Sequence, residues 1–314
     1  PGRRLRRDAA GHARRLRERP PGARPRDGRD AIVMKRIVIA PDSFKESLTA
    51  AKAAAAIERG FSRVFPKAVY VTVPIADGGE GTARILTRQL GAQWISAPTV
   101  DPLGRPIKAG FGWLDQSRTI FLDIAEASGL QHLTAAERNP LRTSTFGSGL
   151  LLRKALTLSP DRIYLGIGGS ATNDGGIGLA AALGYRFFAG NQLIEMPAGR
   201  HLYLWTHIDD AERHPFLAKA DSRVLYDVRN PLLGKQGATR TYAPQKGATP
   251  TDVLDLERGL ERLNAWWTQH RGRSFAHLEG GGAAGGLGAG LMAFCGAQLV
   301  SGATTIFKLL QVAD

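Results

Sequence analysis

From Lys35 to Ala40 the chain reads Lys-Arg-Ile-Val-Ile-Ala, a short apolar run that predicts a buried strand. A polar stretch, Pro41 to Ser47, follows. The Ala-rich segment from Thr49 to Phe61 then predicts a helix, with Ser47 as its cap and Gly60 near its end. The β-branched run Val69–Val73 predicts a second strand. Strand, helix and strand in this order make a right-handed parallel unit. Asp42 and Asp77 then fall just past the carboxyl ends of neighbouring strands, the edge at which open α/β sheets bind ligands.

The pattern changes after Gly91. Trp94–Val100, Ile107–Trp113 and Thr119–Ile124 read as short strands joined by turns such as Asp101-Pro102-Leu103-Gly104, which suits an antiparallel or mixed sheet. A helix is expected over Ser148–Leu158, a strand over Arg162–Ile167 and a helix over Asn173–Leu183. Residues 189–222 are weakly patterned. A strand at Arg223–Val228, helices at Thr251–Arg271 and Leu287–Leu299, and an apolar strand beginning at Leu309 complete the reading. There are no internal repeats. The fold class is α/β: a parallel-sheet unit at the start, then a large α/β region of mixed sheet.

Composition narrows the classes. Hydrophobic residues make up 43% of the 314 positions, as in globular proteins. No apolar run reaches the roughly 18–20 residues of a membrane span. The single cysteine, Cys295, allows no intrachain disulfide and suits a reducing, cytoplasmic setting. The seven histidines show no metal-binding spacing. The formal charge of +14 is unevenly spread: residues 1–33 hold 11 Arg against 4 acids. That Arg-, Pro- and Gly-rich tail is expected to be disordered and to lie upstream of a start at Met34. An Arg-rich arm can bind nucleic acid, but this one has no aromatic residues for base stacking.

Three glycine-flanked motifs carry the chemistry. Asp77-Gly78-Gly79-Glu80-Gly81-Thr82 places two carboxylates three apart at an expected helix start, suited to Mg²⁺ or to base duty on a hydroxyl. Gly166-Ile167-Gly168-Gly169-Ser170-Ala171-Thr172-Asn173-Asp174-Gly175-Gly176 runs from a strand into donors and a helix start, an anion site by construction. The third run is Gly280–Gly288. Exposed backbone N–H groups cradle phosphate while carboxylates hold the accompanying Mg²⁺. Residues 166–171 also fit G-x-G-x-x-A, with Glu195 where a ribose-binding acid would stand, so a nicotinamide-dependent oxidoreductase is a competing reading. Asp42, Ser43 and Lys45 after the first strand suit phosphate or carboxylate binding. Asp227, Asn230 and the Pro244-Gln245-Lys246-Gly247 turn are weaker signals. No P-loop, protein-kinase set or G-x-S-x-G elbow occurs.

Several of these stretches resemble the bacterial glycerate kinase family (type I). They are Ile37–Ser47, Pro74–Thr82, Asp101–Gly104, Glu126-Ala127-Ser128-Gly129-Leu130, Gly166–Gly176, Asp227–Gly234, Pro244–Ala248 and Gly282–Gly288, within a resemblance spanning Met34 to Asp314. The resemblance implies ATP- and Mg²⁺-dependent phosphorylation of D-glycerate to 2-phosphoglycerate, with 3-phosphoglycerate the lesser alternative. It also implies a Rossmann-like domain made from residues 34–91 and 301–314, with 92–300 as an inserted α/β domain. The family continues past this end with a further strand and loop, so the first sheet is expected to be incomplete. Under this reading Asp77, Asp174 and Lys45 are catalytic, and Asp77 and Glu80 hold Mg²⁺. Asp42, Ser43, Gly78, Gly79, Gly168, Gly169, Ser170, Thr172, Asn173, Asp227, Lys246, Gly282, Gly285 and Gly286 bind substrate or phosphate.

Overall fold

The strands between Gln93 and Asp123 form one half of the largest sheet among the described residues. The structure, a computed structural model, describes residues 36–42, 44, 47–73, 75–215 and 219–311. The chain begins β1 (Arg36–Ile39), α1 (Ala50–Val64), β2 (Val69–Thr72) and α2 (Thr82–Gln89). It continues β3 (Gln93–Val100), β4 (Pro106–Leu114), β5 (Thr119–Asp123), α3 (Ala125–Ser128), α4 (Phe146–Leu156), β6 (Arg162–Gly166) and α5 (Ile177–Ala182). Then come β7 (Arg186–Ala189), β8 (Gln192–Leu193), β9 (His207–Asp209), β10 (Asp221–Tyr226), α6 (Ala238–Tyr242), α7 (Pro250–Arg271), α8 (Ala283–Cys295), β11 (Gln298–Ser301) and α9 (Gly302–Leu310). This is a mixed α/β protein, with three sheets among the described residues. β1 and β2 pair in parallel; β11-β10-β6-β5-β4-β3 form a six-stranded sheet; β8-β7-β9 form a small antiparallel one.

In the large sheet β5, β6, β10 and β11 run parallel, while β4 and β3 turn antiparallel. Side chains alternate between its faces. Ile120, Leu122, Ile163, Leu165 and Val224 point into the main core with Leu151, Leu260 and Leu287. Phe121, Tyr164 and Leu225 point the other way, onto Ala83 and Leu86 of α2 and Ile306 of α9. Phe121 and Tyr164 stack there, ring centroids 5.8 Å apart. Burying each such side chain contributes about 1.5–3 kcal/mol. Because four strands are parallel and adjacent, their carboxyl ends share one edge. Residues 124–126, 167–170, 227 and 302 all emerge along it.

The structure corrects several expected boundaries. The first helix is capped by Thr49, whose hydroxyl accepts from Lys52 N at 3.3 Å, not by Ser47. It also runs through Gly60 to Val64: Gly60 does not take the left-handed φ that ends a helix, and a lone glycine inside one costs only about 1 kcal/mol. The helix expected from Asn173 starts only at Ile177, because Gly175 and Gly176 take left-handed φ of 59° and 82°. The last helix of the large region begins with a non-helical kink over Ala284–Gly286 and stops at Cys295, after which β11 forms. Leu309 and Leu310 close α9 instead of opening a strand: the Ser301 hydroxyl accepts from Thr304 N and starts a helix there. Residues 1–33 and 312–314 lie outside the described residues.

Candidate functional site

The three glycine motifs, far apart in sequence, converge along two seams at and below the shared carboxyl edge. At the first seam the 77–81 loop lies against the turn that leaves β6. Gly168 N donates to Gly78 O at 3.2 Å. A Cβ on Gly168 would stand 2.6 Å from Gly79 Cα, so only glycine allows the two backbones to meet this closely. Gly78 rests on Leu225 of β10, and Gly302 at the start of α9 rests on the Asp77 carbonyl. Ile75 N donates to Pro41 O at 3.1 Å, which brings half-buried Asp42 alongside the same loop.

This first seam is open. Asp77 is half-buried, and its Oδ1 accepts from Gly79 N at 2.9 Å. Glu80 is exposed and leans over Gly169, a residue that is itself exposed. The two acids do not ride on a helix as their spacing suggested. Helix α2 starts only at Thr82, and its N-terminal N–H groups are capped by a residue that no motif marked. Asp123, at the end of β5, accepts from Gly81 N at 3.0 Å and from Ala83 N at 3.0 and 3.1 Å. Burial pushes the Asp123 carboxyl up to about 8; the N–H bonds from Ala83 and Gly81 oppose it, and the charges of Glu126 and Glu80 add to it. Glu126 is forked by Arg84 of α2 at 2.7 and 2.9 Å.

The second seam is sealed. Gly175 N donates to Gly285 O at 3.1 Å. A Cβ on Gly285 would stand 2.6 Å from Asn173 Cα, so the kink at the head of α8 packs directly on the 172–176 loop. Thr172, Asn173 and Asp174 are fully buried. So are Gly282, Gly285 and Gly286, which therefore support the loop from behind and do not face solvent. Both oxygens of Asp174 are occupied. Oδ2 accepts from Thr145 N at 2.8 Å, Thr145 Oγ1 at 2.7 Å and Gly178 N at 3.4 Å, while Oδ1 accepts from Gly176 N at 3.0 Å. Burial raises its pKa against those bonds.

Between the seams lies Lys246, 3% exposed, in the single 3₁₀ turn Pro244–Lys246. Its Nζ donates to Ser170 Oγ at 3.0 Å and to Thr172 O at 2.6 Å. Burial pulls its pKa down to about 7, and the nearby Asp174 charge resists. Asn173 Nδ2 donates to Thr239 Oγ1 of α6 at 3.2 Å. Asp227 leaves β10 exposed at the shared edge, and Asn230 is held by Tyr242, whose hydroxyl donates to its Oδ1 at 2.7 Å. Ser43 and Lys45 lie outside the described residues. Among the described residues no three His, Cys, Asp or Glu side chains cluster as metal ligands. No helix there is long and apolar enough to cross a membrane.

The sequence model of the glycerate kinase family matches residues 37–314. This chain belongs to the glycerate kinase family. Glycerate kinase of Halalkalibacterium halodurans is 43% identical over 287 residues, covering 90% of this chain and 76% of that one. Glycerate 2-kinase of Escherichia coli K12 is 41% identical over 279 residues, covering 89% of this chain and 73% of its own. The crystal structure of a Salmonella typhimurium LT2 protein assigned as glycerate kinase 2 superposes with a TM-score of 0.78 at 42% identity, over 88% of this chain and 74% of that chain.

In a glycerate kinase family chain the G-x-G-x-x-A match at 166–171 needs another explanation than dinucleotide binding. That fingerprint requires a helix opening directly on the glycines. Here ten residues separate the end of β6 from α5, and Glu195 is exposed beyond β8. The glycines serve the first seam instead. Asp123, Thr145 and Thr239 are the site residues that motif reading missed. Asp123 alone carried a signal, as the one charge inside the apolar run Ile120–Ile124.

Proposed function

We propose that this chain transfers the terminal phosphoryl group of ATP to the 2-hydroxyl of D-glycerate, at the carboxyl edge of its parallel strands. Membership of the family makes it a glycerate kinase, a phosphotransferase with an alcohol acceptor. The observation that carries the siting is the open seam: a half-exposed acid, Asp77, beside the accessible backbone of Gly168 and Gly169. Phosphoryl transfer needs positioning and charge stabilisation more than covalent chemistry. Gly168, Gly169 and the Ser170 hydroxyl are the phosphate or glycerate donors in this reading. Asp77 takes the proton of the attacking hydroxyl. Asp174 is reassigned from a candidate base to an internal anchor, since four donors already occupy its oxygens.

Mg²⁺ fits this donor set. The ion characteristically takes one or two carboxylates and completes its shell with phosphate oxygens and water. Glu80, which leans over Gly169, would hold it while Asp77 serves as the base, and the ion's charge would offset that of the phosphates. The finer fold reading is a Rossmann-like domain begun by β1, α1 and β2, with the large mixed sheet inserted after it. In support, β1 and β2 pair in parallel in a sheet of their own.

The test is direct assay. D-glycerate with ATP and Mg²⁺ is expected to yield ADP and 2-phosphoglycerate, resolved from the 3-isomer by phosphorus NMR. Turnover is expected at roughly 1–100 s⁻¹, as for kinases generally. ADP formation with another hydroxy acid and none with D-glycerate overturns the substrate assignment.

A further inference from the structure

Lysine is almost never fully buried unless it is paired. Lys246 is buried, and its two hydrogen bonds go to the loop that carries the proposed phosphate donors. It does not sit in that loop or in either neighbouring strand. It comes from a turn 76 residues further along. That turn is itself fixed. Lys246 N donates to Ala243 O, and Gly247 takes a left-handed φ of 92° against the Arg138 carbonyl. The same stretch of chain grips the loop a second time through Thr239 and Asn173.

We propose that Lys246 is a positioning residue for phosphoryl transfer: from beneath the loop it fixes the Ser170 hydroxyl and the Thr172 carbonyl, and so sets the height of Gly168 and Gly169 against Asp77. This rests on the functional reading above for the identity of the reaction, but not for the hydrogen bonds themselves. At 3% exposure, with two bonds directed inward, Lys246 does not touch substrate. Its action passes through Ser170, whose Oγ is its acceptor and which directly follows Gly168 and Gly169 in the loop. Removing the amine leaves the Ser170 hydroxyl and the Thr172 carbonyl short of a donor, at a cost that is a fraction of the stability of a folded domain, and methionine keeps the volume filled. Lys246→Met is therefore expected to fold, and what it loses is the placement of the loop.

Two readouts on the full chain test this. In steady-state kinetics Lys246→Met is expected to lower kcat/KM for ATP by about tenfold or more, as misplacement at a phosphoryl-transfer site does. The double variant Lys246→Met, Ser170→Ala is expected to be little worse than the more damaging of the two single variants, because the two act as one unit. Losses that multiply in the double variant, or a Lys246→Met enzyme within twofold of wild type, overturn the proposal. The second readout is amide exchange. Lys246→Met is expected to speed exchange at Gly168–Ala171 by about tenfold while β6 and β10 keep their protection. Ser170→Ala, which removes the same bond without touching the lysine, is expected to move those amides the same way even if Lys246→Met does not fold. Unchanged exchange in Ser170→Ala, or in a folded Lys246→Met, also overturns the proposal. If wild type makes no ADP with glycerate while the exchange responds, the functional reading fails and the positioning role stands.

Discussion

Asp77-Gly78-Gly79 and Asp174-Gly175-Gly176 are the same three letters in sequence, an acid and two glycines, in opposite surroundings. Asp77 stands half-buried on the open seam, with Gly79 N on one of its oxygens. Asp174 is sealed in, with four donors on its two oxygens. The glycines differ in the same way. Gly78 and Gly79 let one loop approach another at the strand edge. Gly175 and Gly176 bring a turn down onto Leu260, Leu263 and Leu287 in the core. A carboxylate with a free face can take a proton or a cation. One whose lone pairs are already filled serves to hold backbone in place. The same motif therefore does chemistry in one place and architecture in the other, and burial decides which.

The sharpest way to break this contrast is at Asp77. Asp77→Asn is expected to lower kcat by about 10²-fold or more, the usual worth of a general base or its equivalent. The midpoint of thermal unfolding should stay close to wild type, since a single local hydrogen bond is altered. Near-normal kcat would leave Asp77 as a turn former and move the chemistry elsewhere on the edge.

The sealed side carries a pH signature. The folded Lys246 amine loses its proton near 7, against an ordinary 10.5 when unfolded. Between these values the unfolded chain binds the extra proton, so stability rises with pH across that window. Wild type is expected to gain about 3 kcal/mol relative to Lys246→Met between pH 7 and 9.5, read by urea unfolding at both values. Parallel pH curves for the two proteins would show that the amine is not buried as described.

Asp174→Asn is the mirror of the first substitution. One accepting oxygen becomes an N–H₂ group facing the chain's own donors, inside the core. A stability loss of about 2 kcal/mol is expected, comparable to leaving buried donors unsatisfied. The decisive comparison is the ordering of effects: Asp77→Asn costs rate without stability, and Asp174→Asn costs stability first. If Asp174→Asn keeps full stability and loses only kcat, the sealed seam is also a chemical site.

Much of this was legible from the chain alone, and the gaps have physical causes. Turn residues between short apolar runs marked the strands of 93–123, and β5 is packed on both faces. The three glycine motifs marked the seams because close backbone approach excludes side chains. What stayed hidden was long-range satisfaction of backbone and buried polar groups. Asp123 caps a helix 40 residues earlier in sequence, and Lys246 reaches back 76 residues to Ser170. No local pattern records such a partner. Ser47 was read as the cap with Thr49 inside the helix, yet Thr49 is extended and its hydroxyl makes the cap. At Leu309 an apolar run was read as a strand, yet it lies in a helix nucleated by Ser301, eight residues upstream.

The smallest effect is expected at the outer rim of the open seam. Arg84 forks Glu126 and lies 4.1 Å over the Trp94 ring, tying α2 to the end of β5. In a static view this looks like a clamp on the 77–81 loop. The Arg84 side chain, however, is 58% exposed, and exposed ion pairs contribute only about 0–1 kcal/mol, less as salt rises. The loop is held instead by the backbone bond from Gly168 N to Gly78 O and by the Asp123 cap. Arg84→Ala is accordingly expected to cost under about 1 kcal/mol, mostly lost packing on Trp94, and to leave kcat within roughly threefold. Urea unfolding at low and high salt, beside a kcat measurement, checks both parts. A drop in kcat approaching that of Asp77→Asn would mean that the open seam depends on its surface charges and not on the glycine contact beneath them.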